Sequence, residues 1–346
     1  MKILVGRRDV NPDSSDKCSR TPLSYAAGFG HGGVVLMLLE REGVNPDSSG
    51  KPGWEQILAT SRSRDEDFMN WDLQAFGVDP NSEDEDDRTP LSYAAEFGHE
   101  GVAKILLECG DVNADSSGKC SRTPLSYAAE SGRKDVVKLL LECENVNPDS
   151  GDVDGRTPLS FAAESGHEGV VRILLERGDV NPNSLDKYSR TPLSYAAGSG
   201  WEGRMNLLRA LRHFDHGLRD VPSQTPQPYY DLVSGSEGVV KLLLGRDVSA
   251  DPGDIDGRTP ISYAAESGRE GIVKIHLERG DVNPDSSDKN GQTPLSFAAE
   301  YGGEGVVKIL LERGDVNPDS SDKNGQTPLS FAAQIRHEAV VKTLLE

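Results

Sequence analysis

A repeat of 34 residues constrains this chain more than any other feature of its sequence. The pentapeptide Thr-Pro, Leu or Ile, Ser and an aromatic residue, followed by Ala-Ala, occurs eight times at spacings of 34 or 68 residues. Its threonines are Thr21, Thr89, Thr123, Thr157, Thr191, Thr259, Thr293 and Thr327. Because 68 is twice the period, two further units should begin near positions 55 and 225. The chain is therefore predicted to be an array of about ten units.

Residues 293–326 show how one unit is predicted to fold. Thr293 is a natural helix N-cap and Pro294 suits the first helical position, so a first helix is predicted to start at Leu295. A second helix over 304–313 carries valine, isoleucine and leucine at helical spacing, and the turn-rich stretch 315–326 forms a finger loop. Since one helix pair cannot bury its apolar face alone, neighbouring units must stack. The predicted fold is an all-α solenoid of helix-turn-helix units with finger loops.

The repeat resembles the ankyrin repeat family. The resemblance rests on the pattern Asp-x-x-Gly-x-Thr-Pro-Leu-x-x-Ala-Ala-x-x-Gly-His and on a Val-Val-x-Leu-Leu-Leu second helix, and it covers nearly the whole chain. The sequence of the repeat is similar to that of tandem arrays in large fungal multidomain proteins. The chain departs from the family in two ways. The family's His after Thr-Pro-Leu is Ser, so the expected Thr to His hydrogen bond is replaced or missing, and an extra finger residue lengthens the unit from 33 to 34.

Two stretches lack the repeat motif, and they define the predicted domain organisation. The prediction is an N-terminal array over 1–200 that contains a degenerate unit at 51–87, an irregular segment at 201–233, and a C-terminal array over 234–346. The irregular stretches are either decayed repeats or insertions that bind a partner. The C-terminal array has no polar capping repeat, which is typical of a piece of a longer protein.

Charge and hydropathy limit the partners that this chain can have. A net charge of −20 argues against nucleic acid or an anionic membrane and favours a protein with a basic surface. No apolar run exceeds about six residues, far below the roughly 18 that span a bilayer. The start of the chain has no secretory signal, so an intracellular location, cytoplasmic or nuclear, is expected. The oligomeric state is left open.

Repetition itself argues against catalysis. An enzyme needs one constellation of unlike groups, whereas nearly every polar residue here has a copy 34 residues away. We therefore predict no catalytic, metal or cofactor site, and an enzyme using residues 201–233 is the least favoured alternative. His276 stands where other second helices have leucine, so it is predicted to be partly buried and neutral.

The resemblance implies a role in protein binding. The family binds partners on a concave face made of finger tips and the exposed side of the first helices, so the favoured hypothesis is a protein-interaction scaffold. The alternative is a ligand-sensing segment of a larger signalling protein whose effector domain lies elsewhere.

The predicted binding residues are carried over from the family position by position. They are Phe29, Glu96, Phe97, Glu130, Glu164, Glu266, Glu300, Tyr301, Lys289, Asn290, Lys323 and Asn324. Together they would form an acidic row punctuated by aromatic residues, which are plausible hot spots for a partner. A neighbouring ladder of aromatic residues is predicted instead to pack between repeats. It consists of Tyr25, Tyr93, Tyr127, Phe161, Tyr195, Tyr263, Phe297 and Phe331.

Overall fold

The chain folds into two compact blocks, Met1–Val153 and Asp154–Glu346. The computed structural model describes residues 11, 13–39, 78–118, 120–199 and 236–346. Within these ranges every regular element is a helix. The all-α class predicted from the 34-residue period is therefore confirmed.

Three helix pairs make up the described part of the N-terminal block, Met1–Val153. They are α1 (Pro22–Gly28) with α2 (Gly32–Leu38), α3 (Pro90–Phe97) with α4 (Glu100–Leu107), and α5 (Pro124–Glu130) with α6 (Lys134–Leu141). Helix α3 packs between α1 and α5, and α4 packs between α2 and α6. The first helices of this block therefore form one row and the second helices another.

Five helix pairs make up the described part of the C-terminal block, Asp154–Glu346. They are α7 (Pro158–Glu164) with α8 (Glu168–Glu176), α9 (Pro192–Ser194) with α10 (Ser236–Leu244), α11 (Pro260–Glu266) with α12 (Glu270–Glu278), α13 (Pro294–Tyr301) with α14 (Glu304–Leu311), and α15 (Pro328–Ile335) with α16 (Glu338–Leu345). A π-helical turn, Tyr195–Ser199, continues α9 and packs against α7 and α11. Helix α10 packs against α8 and α12, so this block also has two rows.

Small and branched residues explain why the rows pack closely. The Leu or Ile after Thr-Pro is fully buried in seven of the eight first helices, and the Ala-Ala pair leaves room for the next helix. In four of the second helices, α6, α8, α10 and α14, the buried stripe contains the Val-Val pair and a leucine one turn later, as in Val306, Val307 and Leu310. Burial of this stripe between neighbours is the main stabilising contribution in each block.

Hydroxyl groups replace the Thr to His interaction of the family. The Oγ1 of Thr293 caps α13 by accepting the backbone N–H of Ser296 at 3.3 Å, and it lies 3.2 Å from the Oγ of the same serine. It also lies 3.3 Å from the Oγ of Ser320 in the next finger. The serine that departs from the family pattern therefore belongs to a hydrogen-bonded chain of three hydroxyls that joins neighbouring repeats.

The flanks of both irregular stretches pack as if they were consecutive. Thr21 Oγ1 lies 3.1 Å from Ser82 Oγ, which is the contact that Thr89 makes with Ser116 at 3.3 Å. Finger 78–88 thus follows the first helix pair in space. In the same way, α10 serves as the second helix of the repeat whose first helix begins after Thr191. The units predicted near positions 55 and 225 lie largely or wholly outside the described residues, and the predicted domain boundaries stay predictions.

Candidate protein-binding surface

The glutamates of the predicted acidic row are held by side chains of their own repeats. Each lies eight positions after an Arg or Gln that precedes the capping Thr. The pairs are Arg88 with Glu96, Arg122 with Glu130, Arg156 with Glu164, Arg258 with Glu266, and Gln292 with Glu300. In the most buried pair, the side chains of Arg258 and Glu266 are only 10% and 9% exposed. The row is therefore a set of partnered, half-buried carboxylates.

Two repeats have glycine in place of the glutamate, and their arginines bind a different carboxylate. Gly198 stands eight positions after Arg190, whose Nε binds the finger carboxylate of Asp186 at 2.8 Å. Arg20 binds Asp16 in the same way at 3.0 Å, where the glycine is at position 28. Arg88 binds both carboxylates, Asp84 at 3.2 Å and Glu96 at 3.5 Å, so the residue eight positions later decides only whether a second carboxylate is available to the arginine.

Two of these arginines, Arg156 and Arg258, lie between aromatic rings of successive repeats. In the C-terminal block, the Cζ of Arg258 lies 4.2 Å from the ring centroid of Tyr263 and 4.5 Å from that of Phe297 in the next repeat. Arg156 lies 4.2 Å from Phe161 and 4.6 Å from Tyr195. These cation–π contacts bury most of the ladder. The aromatic ladder therefore packs between repeats, as predicted, although the ring of Tyr25 is exposed.

A finger aspartate ties the aromatic ladder to the finger backbone. Asp186 accepts the backbone N–H groups of Tyr188 and Arg190 at 2.8 Å through Oδ1, and Tyr195 donates its hydroxyl to Oδ2 at 2.7 Å. Burial and this hydrogen bond raise the pKa of Tyr195. Two of the three repeats with phenylalanine, those of Phe297 and Phe331, use another donor. The side-chain amides of Asn290 and Asn324 donate to Asp288 and Asp322 at 3.5 and 3.2 Å, so these two predicted binding residues also stabilise their fingers.

Replacing Tyr195 with phenylalanine should lower the free energy of unfolding by about 1 kcal/mol, because a buried charge-assisted hydrogen bond to Asp186 is lost. Urea denaturation measures the change. Tyr25→Phe is the matched control, since the same bond to Asp16 is exposed there, and it should cost less. Equal losses in the two variants would contradict the importance of burial.

Two of the predicted aromatic residues form an exposed patch in the N-terminal block. Phe29 is 67% exposed and Phe97 is 48% exposed. The ring of Phe29 is stacked 6.5 Å from that of Tyr25 and 6.1 Å from that of His31, and Phe97 is stacked 6.4 Å from His99. We call Tyr25, Phe29 and Phe97, with the two histidine rings, the aromatic patch.

Close packing of neighbouring repeats brings the two halves of the aromatic patch together. The Nε2 of His99 lies 3.0 Å from the carbonyl oxygen of Gly28. A Cβ atom at Gly28 would lie 3.5 Å from the ring of Tyr93 and 3.9 Å from that of Phe97. Tyr301 is half-buried in the C-terminal block, so it is not part of this patch.

The predicted finger residues are at exposed positions. Lys289, Asn290, Lys323 and Asn324 are all exposed. The backbone N–H of Lys289 donates to the backbone carbonyl oxygen of Asp256 at 2.7 Å, and that of Lys323 donates to the carbonyl oxygen of Asn290 at 2.8 Å. Neighbouring fingers are thus joined by backbone hydrogen bonds, which leave the lysine side chains exposed.

Sequence reasoning missed three apolar residues at the finger tips of the C-terminal block. Leu185 is 58% exposed, Ile255 is 42% exposed and Tyr188 is 40% exposed. Their signal was present in the sequence, because they depart from the polar residues of other fingers. A repeat pattern indicates the residues that its copies share, and these three residues differ from the copies in other fingers.

The described ranges contain neither a membrane-spanning helix nor a metal-binding cluster. No helix there is long and apolar enough to cross a membrane. In the same parts of the chain, no group of three or more His, Cys, Asp or Glu side chains could hold a metal ion.

Comparisons with known proteins agree with this geometry. A family model described as ankyrin repeats in three copies matches residues 57–152, 144–220, 229–319 and 271–346, and a single ankyrin repeat model matches 18–51. The chain therefore belongs to the ankyrin repeat family, whose members are generally protein-interaction modules.

A solved structure shows the same fold. The chain is similar to the human ASB11 ankyrin repeat domain, with 24% sequence identity and a TM-score of 0.55. The match covers 75% of this chain and 97% of the other. No curated protein sequence matches the chain significantly.

Proposed function

We propose that this chain is a protein-binding scaffold and that the aromatic patch of its N-terminal block contacts the partner. The exposure of Phe29 and Phe97 is the observation that carries the proposal. Large aromatic side chains lose little conformational entropy on binding and bury a large area, so they commonly dominate binding free energy. Rings held in place by stacked histidines lose even less.

Comparison within the chain supports a role in binding rather than folding. The positions of Phe29 and Phe97 are occupied by serine in four other repeats, at Ser131, Ser165, Ser199 and Ser267. Because the fold accepts serine there, the two phenylalanines are not required for packing. Their exposure is instead consistent with contact to another protein.

The charge of the chain favours a partner with a basic surface. The net charge is −20, so a complementary surface would be basic. Association with such a partner should weaken as salt is raised, because added ions screen attraction between exposed charges.

Replacing both phenylalanines with serine should weaken binding of a captured partner at least about tenfold, which corresponds to 1.4 kcal/mol. Affinity capture with the intact chain identifies the partner, and calorimetric titration at low and moderate salt measures its dissociation constant. Ile335→Ser is the matched control, because it changes an exposed apolar residue at the same repeat position in α15. Retention of every partner at full affinity by Phe29→Ser/Phe97→Ser would refute the assignment.

A further inference from the structure

The finger tips on either side of Thr191 carry exposed apolar side chains. Leu185 and Tyr188 belong to the finger before α9, and Ile255 belongs to the finger before α11. The backbone N–H of Ile255 donates to the carbonyl oxygen of Tyr188 at 2.9 Å, so the two fingers are neighbours in space. We call Leu185, Tyr188 and Ile255 the finger-tip cluster.

The repeats provide an internal control for this cluster. At the position of Leu185, two other fingers of the C-terminal block have Ser287 and Ser321. At the position of Tyr188 they have Asn290 and Asn324. The fold therefore accepts polar residues at these positions, and packing does not require the apolar ones.

The position of Ile255 leads to the same conclusion. Lysine occupies it in three fingers of this block, at Lys187, Lys289 and Lys323. In the N-terminal block the equivalent residues include Lys17 and Glu85, which are charged, and Val153, which is exposed and apolar. Apolar residues at this position are thus confined to particular fingers.

The two cations beside the ring of Tyr188 already have carboxylate partners. The guanidinium of Arg190 lies 4.8 Å from the ring centroid of Tyr188 and is bound to Asp186. The ammonium of Lys187 lies 4.9 Å from the same ring and pairs with Asp154. These contacts orient the ring of Tyr188 and neutralise the positive charge beside it.

Negative charge remains next to Ile255. Asp256 is exposed, and no ion pair joins its carboxylate to a residue in the described ranges. The surface thus combines exposed apolar side chains with an accessible carboxylate, and the whole chain has a net charge of −20. A complementary ligand has apolar side chains with positive charge beside them.

We propose that the finger-tip cluster is a second docking surface, which binds a protein segment whose aliphatic or aromatic side chains are flanked by lysine or arginine. The inference rests on the proposed function, because it assumes that the chain binds protein. The finger-tip cluster lies in the C-terminal block and is separate from the aromatic patch, and the segment that binds there is apolar with basic flanks.

The test uses two labelled peptides with the same Leu-Trp-Leu centre, one flanked by lysines and the other by glutamates. Fluorescence anisotropy measures their binding to the full chain and to the triple variant Leu185→Ser/Tyr188→Asn/Ile255→Thr. This variant leaves the net charge unchanged, and circular dichroism checks that it is folded. The lysine-flanked peptide should bind the wild type at low salt, bind less tightly as salt is raised, and bind the triple variant at least about tenfold more weakly. The glutamate-flanked peptide should bind neither protein.

Three outcomes would overturn this inference: absence of binding to the wild type, equal affinity for wild type and triple variant, or equal binding of the two peptides. The variant Phe29→Ser/Phe97→Ser separates this surface from the aromatic patch, because it should bind the lysine-flanked peptide like the wild type. If it loses binding while the triple variant keeps it, the aromatic patch is the docking surface. The proposed function would then stand and the finger-tip assignment would fail.

Discussion

Replacing His276 with leucine should stabilise the protein and remove about 2 kcal/mol of its loss of stability between pH 7.5 and pH 5. His276 lies in α12 and is fully buried, and neither ring nitrogen has a hydrogen-bond partner among the described residues. Desolvation, together with the nearby charge of Arg279, lowers the pKa of this histidine to about 4, while Asp281 opposes the shift. The folded protein therefore keeps the imidazole neutral at a pH where the unfolded chain protonates it.

The direction of the pH dependence follows from that shift. Above the ordinary pKa of 6.5, neither state binds the proton, so this histidine makes no pH-dependent contribution. As pH falls from about 6.5 towards 4, the unfolded state is protonated first, and the folded state loses stability relative to it. Each unit of pH in this window costs up to about 1.4 kcal/mol.

Urea denaturation of wild type and His276→Leu across this range gives the difference between the two proteins. Leucine occupies the equivalent position in α14 as Leu310, so the reciprocal variant Leu310→His is the matched control. It should acquire the same acid sensitivity. Identical pH profiles for wild type and His276→Leu would show that this imidazole is not held neutral by burial. The leucine position of His276 in the repeat predicts a partly buried, neutral histidine, whereas the structure buries the ring fully and lowers its pKa.

Deleting residues 201–235 should leave the fold intact and raise the free energy of unfolding by about 2 kcal/mol. The deletion joins Ser199 and Gly200 to Ser236, which reproduces the Ser-Gly connection between the helices of a regular repeat, as at Ser267 and Gly268. Helix α10 already packs against α8, α12 and the turn after α9, so its place in the block does not change. A shorter connection loses less conformational entropy on folding, by about 0.6 kcal/mol for each halving of its length.

A glycine-serine linker of the same length in place of 201–235 separates length from sequence. It should match the stability of the wild type, whereas the deletion should be more stable, as measured by urea denaturation and far-ultraviolet circular dichroism. Loss of helix content in both variants would mean that the native sequence of this segment is needed for folding. That result would contradict a repeat completed by α10.

The period of 34 residues predicted the helices because each repeat contains its own helix-capping residues and its own apolar stripe. The first helix of this unit, predicted to start at Leu295, begins one residue earlier at Pro294, and the second begins at Glu304 but ends at Leu311, two residues before the predicted end. Helix ends commonly differ by this much because the last turn has few internal hydrogen bonds. The spacing of 68 residues between Thr21 and Thr89 fits an intervening unit equally well. The sequence therefore could not predict that finger 78–88 packs directly after the helix pair α1 and α2.

The candidate site was harder to predict than the fold. The exposure of Phe29 and Phe97 agrees with their predicted positions, but their role in binding stays a prediction. The pairing of Arg258 with Glu266 was missed because eight residues is not a contact spacing within one helix. It arises where the chain turns from finger to helix. Such contacts depend on the turn geometry, which a sequence pattern does not specify.

The three hydroxyls that join successive repeats have a consequence for how such a protein can change over generations. Thr259 meets Ser286 at 3.1 Å, and Thr293 meets Ser320 at 3.3 Å, so successive junctions in the C-terminal block use the same atoms. Unequal crossing-over between similar stretches of coding sequence adds or removes whole repeats. Because each new neighbour presents the same groups, such a change leaves the remaining junctions satisfied. The number of repeats can therefore vary by recombination without compensating point mutations.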